Sequence, residues 1–251
     1  MAKQQVLLIG GTGFIGSAIV ESLLQSKEFE VHLMTRSSSR RKENSRQELV
    51  QTHLYTDVSE ASLKQLFAQL DPNACIINLV GVLHASQAFP YGPEFKEAHI
   101  DIVRAIIAAM RAHRLQRYIH MSALGASSSG ASMYQRSKGD AENLVKASDL
   151  DWTIFRPSVV FGENDKFINL FASLQKFAPV LPLGGAAVKF QPVYVSDVAQ
   201  AFVKSISMSE TIGRVFDLAG PRVYTLAELV NFAGMVGGRK SMIIPLPKPL
   251  A

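Results

Sequence analysis

The 251-residue chain has one cysteine, Cys75. A single thiol forms no disulfide framework and builds no cysteine-based zinc site. A reducing setting, the cytoplasm, is therefore expected. Six histidines are present, but none shows metal-ligand spacing, so no metal is expected. No apolar run reaches the roughly 18 residues that span a bilayer. The apolar N-terminal stretch is interrupted by Gly10, Gly11, Gly13 and Gly16, which excludes the helical core of a secretion signal. Charged residues make up 19% and hydrophobic residues 47%, too little charge and too much apolar content for a disordered chain. The excess of bases over acids is +5. No motif of interleaved basic and aromatic residues accompanies it, so no nucleic-acid partner is expected.

What is present alternates. Apolar bursts at 5–9, 30–35, 52–55, 74–80, 117–122 and 151–156 read as strands, several of them without the alternation of a half-exposed strand. Segments 14–26, 62–70, 94–113 and 131–148 between them have helical periodicity. This order predicts an α/β fold, a doubly wound parallel sheet of the Rossmann type over residues 1–156. A small C-terminal α+β lobe, 157–251, is expected to interleave with it and to carry substrate. There, 169–177 reads as a helix and 188–195 as a strand, with Ser196 or Asp197 capping the next helix. Residues 225–228 (TLAE) have capping-box spacing before a helix at 226–235. Residues 177–188 (FAPVLPLGGAAV) carry no charge and read as an apolar loop. It serves as a buried connection, the wall of an apolar pocket or a face touching a membrane. The final PLPKPLA resembles the lead-in to a further helix, so a longer native chain is expected.

Gly10-Gly11-Thr12-Gly13-Phe14-Ile15-Gly16 follows the first strand and opens the first helix. Glycine is needed there for a tight turn, close approach of a pyrophosphate to the backbone, and close helix–strand packing. Amides at the helix start then face the phosphates. The end of the second strand selects the dinucleotide, and an acid there would take the ribose 2′-hydroxyl of NAD. This chain has Arg36, 20 residues after Gly16, with Arg40 close by. Guanidinium groups suit a 2′-phosphate, so NADP is expected, with NAD the alternative. Segment 36–46 alone carries a net +4, most of the excess charge of the chain. Asp57 and Val58 after the third strand, and Leu79, Val80 and Gly81 after the fourth, complete the expected cofactor contacts. Simple turn chemistry is the other reading of these positions.

Tyr134 and Lys138 form a Y-x-x-x-K pair on one face of a predicted helix. A nearby ammonium favours phenolate and is expected to lower the tyrosine pKa. Ser122 ends the fifth strand, at the sheet edge where ligands bind.

Together GGTGFIG, NLVG, HMSALG, Y-x-x-x-K and FRPSVVFG resemble the extended or atypical branch of the short-chain dehydrogenase/reductase superfamily, over nearly the whole chain. The runs HMSALGA, DWTIFRPSVVFG and FQPVYVSDVAQA are most similar to bacterial relatives of the nucleotide-binding accessory subunit of respiratory complex I. The resemblance implies Tyr134 as general acid/base, Lys138 on the nicotinamide ribose, and Ser122 orienting a substrate oxygen. It implies Pro157, Ser158 and Val159 beside the nicotinamide. His99 stands where members of this branch carry asparagine, a departure that counts against a relay or helix-bend role there. Two functions follow as expectations. One is an NAD(P)-dependent oxidoreductase or epimerase-like enzyme acting on a small, apolar carbonyl or alcohol. The other is a non-catalytic NAD(P)H-binding accessory, assembly or redox-sensing protein. A small-molecule substrate and peripheral membrane contact are the expected partners.

Overall fold

β1 (Gln4–Ile9) enters the glycine turn and α1 (Phe14–Ser26), then β2 (Phe29–Arg36) and β3 (Val50–Tyr55). The chain continues through α2 (Glu60–Phe67), β4 (Cys75–Asn78), α3 (Pro93–Phe95), a π turn (Lys96–Asp101) and α4 (Ile102–Ala112). β5 (Arg117–Met121), α5 (Met133–Lys146) and β6 (Asp151–Pro157) follow. The computed structural model describes residues 3–36, 50–55 and 57–246.

These strands form a sheet in the order β3-β2-β1-β4-β5-β6, every neighbouring pair parallel. A seventh strand, introduced below, extends it beside β6. Leu7, Leu8, Ile76, Ile77 and Ile119 are all inaccessible to solvent, as strands covered on both faces require. One face packs Leu7, Ile76 and Tyr118 against Leu63 and Leu66 of α2, Val103 and Ile106 of α4, and Val145 of α5. The direction of strand addition reverses between β1 and β4. In an open α/β sheet a crevice opens outside the carboxyl ends of the strands at that reversal, and ligands bind there.

The remaining elements are β7 (Val160–Phe161), α6 (Ile168–Phe177), β8 (Val180–Gly184), β9 (Lys189–Phe190), β10 (Val193–Tyr194), α7 (Val195–Ser205), β11 (Arg214–Leu218), β12 (Tyr224–Thr225), α8 (Leu226–Val236) and β13 (Met242–Leu246). β11 is the seventh strand of the large sheet. Two units result: 1–157 with 198–217, and 158–197 with 218–251. In the second unit β8 pairs in parallel with β13, and the expected capping box is present, Thr225 bonding Glu228.

Three local readings differ from the structure. The apolar run 177–188 contains a strand, β8, because a distant partner, β13, satisfies its backbone. Segment 188–195 breaks into two-residue strands, and α7 begins at Val195, ahead of Ser196 and Asp197. The single helix read over 94–113 carries a π turn at 96–101.

Two buried polar side chains tie backbone segments together. Arg117 donates to the carbonyls of Asp151, Ser205 and Ile206 and to the hydroxyls of Thr153 and Thr211. In the second unit Gln175 donates to the carbonyls of Phe171 and Val230 and accepts from the Ser241 N–H.

Candidate dinucleotide and catalytic site

The glycine turn leaves β1 with Gly10 at φ +85°, the left-handed region that glycine adopts without strain. A Cβ on Gly10 would lie 3.1 Å from the Val80 nitrogen, so the turn rests directly on the chain leaving β4. Gly16 is forced by packing, since its Cβ would stand 2.5 Å from the Gly11 Cα. Gly13 differs. Its Cβ would meet only the Gly10 carbonyl oxygen, at 3.6 Å, an ordinary contact. The fold does not demand glycine at 13, whereas close approach of a pyrophosphate does. Gly13 is also the N-cap of α1, where no side chain caps the helix and no acid occupies the first turn. The amides of Phe14, Ile15 and Gly16 therefore start a helix whose positive end is open to an anion. These residues fit a nicotinamide dinucleotide.

Arg36 closes β2, in register with Tyr55 of β3. Its side chain and the whole of Arg40 lie outside the described residues. Asp57 is used locally: its carboxylate accepts from the Ser59 N–H at 3.3 Å and the Ser62 hydroxyl at 3.4 Å, ahead of α2. Val58 packs on the main core. At the end of β4 the Asn78 side chain accepts from the Val80 N–H at 3.0 Å and donates to the Tyr118 hydroxyl at 3.2 Å. Asn78 thereby fixes Leu79, Val80 and Gly81 at the carboxyl edge. Pro157 ends β6, its carbonyl accepting from Leu124 at 3.0 Å. Ser158 and Val159 belong to the second unit. The Ser158 N–H donates to the Leu218 carbonyl, and the Val159 carbonyl accepts from Val193.

α5 is opened by a capping box between Ser132 and Gln135. That start places Tyr134 and Lys138 one turn apart. Lys138 is buried and donates to the carbonyl of Met121, the last residue of β5, at 3.2 Å. A Cβ on Gly81 would stand 3.2 Å from the Lys138 Nζ and 3.5 Å from the His99 Nε2. The chain leaving β4, the π turn and α5 therefore meet at one point. Burial lowers the Lys138 pKa to about 8 against the opposing pull of Glu142. Burial raises the Tyr134 pKa from its ordinary value. This is opposite to the expected lowering, because desolvation of the phenolate outweighs any help from the ammonium.

Ser122 is buried, and its hydroxyl donates to Glu142 Oε1 at 2.6 Å. Glu142 also accepts two bonds from Arg156, at 2.7 and 2.6 Å, and one from Lys146 at 2.9 Å. Burial alone would raise its pKa, but the bonds from Arg156, Ser122 and Lys146 hold it at about 2. Sequence reading missed Glu142. Its signal was spacing: it lies one further turn along the Tyr134–Lys138 face.

His99 sits in the π turn. Its Nε2 accepts from the Val82 N–H at 3.2 Å, which leaves Nδ1 protonated and donating to Ser137 Oγ at 2.8 Å. Ser137 passes the polarity on to the Tyr134 carbonyl at 3.0 Å. Burial, then Lys138 and His120, lower the His99 pKa to about 3, so it is neutral near pH 7. The departure at His99 counts against a helix bend, yet the helix is irregular there, with histidine at the position. His120 is fully buried with Nδ1 near Tyr118 and Asn78, while its Nε2 has no hydrogen-bond partner. Among the described residues, no cluster of three or more metal-ligating side chains occurs.

A glycine turn at the reversal point of a 3-2-1-4-5-6 sheet defines a dinucleotide-binding Rossmann protein. The sequence matches the NAD(P)H-binding family over residues 10–207, and the chain belongs to that family. It is 36% identical over 177 residues to the mitochondrial NADH dehydrogenase [ubiquinone] 1 alpha subcomplex subunit 9 of Mus musculus, covering 70% of this chain and 45% of that protein. The Arabidopsis thaliana protein of the same name is 31% identical over 97% of this chain and 60% of its own length. The chain thus spans about half the length of these relatives. The photosystem II assembly factor Ycf39 of Guillardia theta is 26% identical, covering 98% of this chain and 74% of that protein. In fold, the chain is similar to the UDP-glucose 4-epimerase of Thermus thermophilus, solved with NAD: TM-score 0.78, 20% identity, 98% of this chain and 88% of that one. No helix among the described residues is long and apolar enough to cross a membrane.

Proposed function

We propose that this protein binds NADP(H) and exchanges hydride and proton with a small, apolar carbonyl or alcohol. The single observation that carries the reading is the approach of Lys138 Nζ to Gly81, which joins the dinucleotide edge to the Tyr134–Lys138 pair. The bound nicotinamide supplies the hydride chemistry. Gly10 to Gly16 hold the pyrophosphate, Arg36 and Arg40 the 2′-phosphate, and Lys138 the ribose, with Pro157 flanking the nicotinamide. Tyr134 Oη gives a proton to, or takes one from, the substrate oxygen. Its raised pKa keeps it protonated near pH 7, which suits donation during reduction. Ser122 orients the substrate oxygen once its hydroxyl leaves Glu142.

That last step motivates a second reading. The Ser122 proton is held by a buried carboxylate that Arg156 and Lys146 keep ionised. Relatives are named as a subunit of NADH dehydrogenase and an assembly factor. Both facts support a protein that holds NADP(H) without turnover. Fluorescence titration with NADPH and NADH, followed by NADPH oxidation across a panel of apolar aldehydes, ketones and quinones, separates the readings. Turnover that Tyr134→Phe abolishes supports the enzyme. Tight binding with no turnover across the panel supports the second reading, and preference for NADH overturns the assignment of NADP.

A further inference from the structure

The second unit exposes apolar side chains on three elements at once. On α6, Leu170, Leu174 and Phe177 share one face by their i, i+4, i+7 spacing, and all are exposed, Phe177 to 87%. On α8, Phe232, Met235 and Val236 do the same. In the β8–β13 pair, Met242 lies opposite Val180 and Ile244 opposite Pro182, so these four side chains stand on one side of the pair. All four are exposed.

The segment leaving α6 and the segment entering β13 meet at one end of the unit. The Arg239 guanidinium donates to the Lys176 carbonyl at 2.6 Å, Ser241 Oγ donates to the Ala178 carbonyl, and the Met242 N–H donates to the Pro179 carbonyl at 2.9 Å. The bonds place Lys176, Arg239 and Lys240 beside Phe177 and Met242. Segments 170–182 and 229–246 contain these three cations and no aspartate or glutamate. Exposed aliphatic and aromatic tips next to cations match the chemistry of an anionic lipid surface, where the tips enter the acyl boundary and the cations meet the headgroups. A second copy of this chain fits worse, because a symmetric face-to-face contact would bring the same cations against one another.

We infer that this end of the second unit is a peripheral docking surface for anionic membrane lipid. The test is co-sedimentation of the full chain with vesicles of phosphatidylcholine alone and of phosphatidylcholine with phosphatidylglycerol, at low and high salt. The expected result is binding to the anionic vesicles only, weakened by salt. Phe177→Asp with Met242→Asp should lower it by at least about 10-fold. Lys176→Glu with Arg239→Glu should lower it by about 5-fold or more. The thermal midpoint and NADPH titration of each variant verify folding, and the milder Phe177→Ser serves if the double variant is unstable. The inference is overturned by absence of sedimentation with both vesicles, by equal binding to neutral vesicles, or by variants that bind like the parent. Self-association that the same substitutions abolish, without lipid binding, overturns it in favour of a second copy.

Discussion

Arg117 and Gln175 hold their units in the same manner, yet their surroundings differ. Each is a buried polar side chain that binds backbone from three places. Arg117 lies among elements whose apolar faces are covered, including a ring contact of 4.7 Å between Phe155 and Phe202. Gln175 lies on α6, one face of which is apolar and exposed. Around Arg117 the first unit is thus closed by its own side chains, while around Gln175 the second is stitched internally and left apolar on the outer faces of α6 and α8. A unit does not need a covered surface to be locally specified, provided its buried polar groups are satisfied.

Substitutions can break or sharpen that contrast. Arg117→Met should have the largest effect, about 3–5 kcal/mol of stability in urea unfolding, because five acceptors lose one shared donor. An unchanged midpoint would refute its role as the tie of the first unit. Gln175→Leu should cost less, about 2 kcal/mol, and its loss of hydrogen-exchange protection should concentrate in α8 and β13. Acid should act on the first unit through His99 and His120. Both have pKa values of about 3 in the fold against an ordinary 6.5, so the unfolded chain binds more protons between those values. Stability is then fully present above pH 6.5 and falls as pH drops toward 3, by up to about 1 kcal/mol per pH unit for each histidine. His99→Gln should flatten the dependence of the urea midpoint on pH. The smallest effect on stability is expected for Gly13→Ala, within about 0.5 kcal/mol. It should nonetheless weaken NADPH binding by about 10-fold or more, since only the ligand needs that space.

The large sheet was legible because buried parallel strands write themselves as apolar bursts, and the glycine turn because Gly10 and Gly16 answer to local sterics. Tyr134 and Lys138 were legible from helical spacing. The acceptor of the Ser122 proton was legible only in part: Glu142 keeps helical spacing with Lys138 and Lys146, but its meeting with Ser122 of the β5 edge and Arg156 of β6 is tertiary, and no local pattern encodes it. The same holds for β8: its partner β13 lies some 60 residues away, and an uncharged run with two prolines gives no hint of it.

The π turn at Lys96–Asp101 has a consequence for how the chain tolerates insertion and deletion. A π turn accommodates one residue more than the α turn it replaces. Deleting a single residue between 96 and 101 would restore an ordinary helix without breaking it, a change most helices would not survive so easily. The flanking helix would keep nearly its phase, because the wider π turn spreads one extra residue over almost the same rotation as the α turn that would replace it. The penalty would fall on His99, which lies inside the turn, stacked on Phe95 with ring centroids 5.3 Å apart and bonded to the Val82 N–H and Ser137 Oγ. The extra residue thus carries one imidazole to the chain leaving β4 while the rest of the helix stays in step.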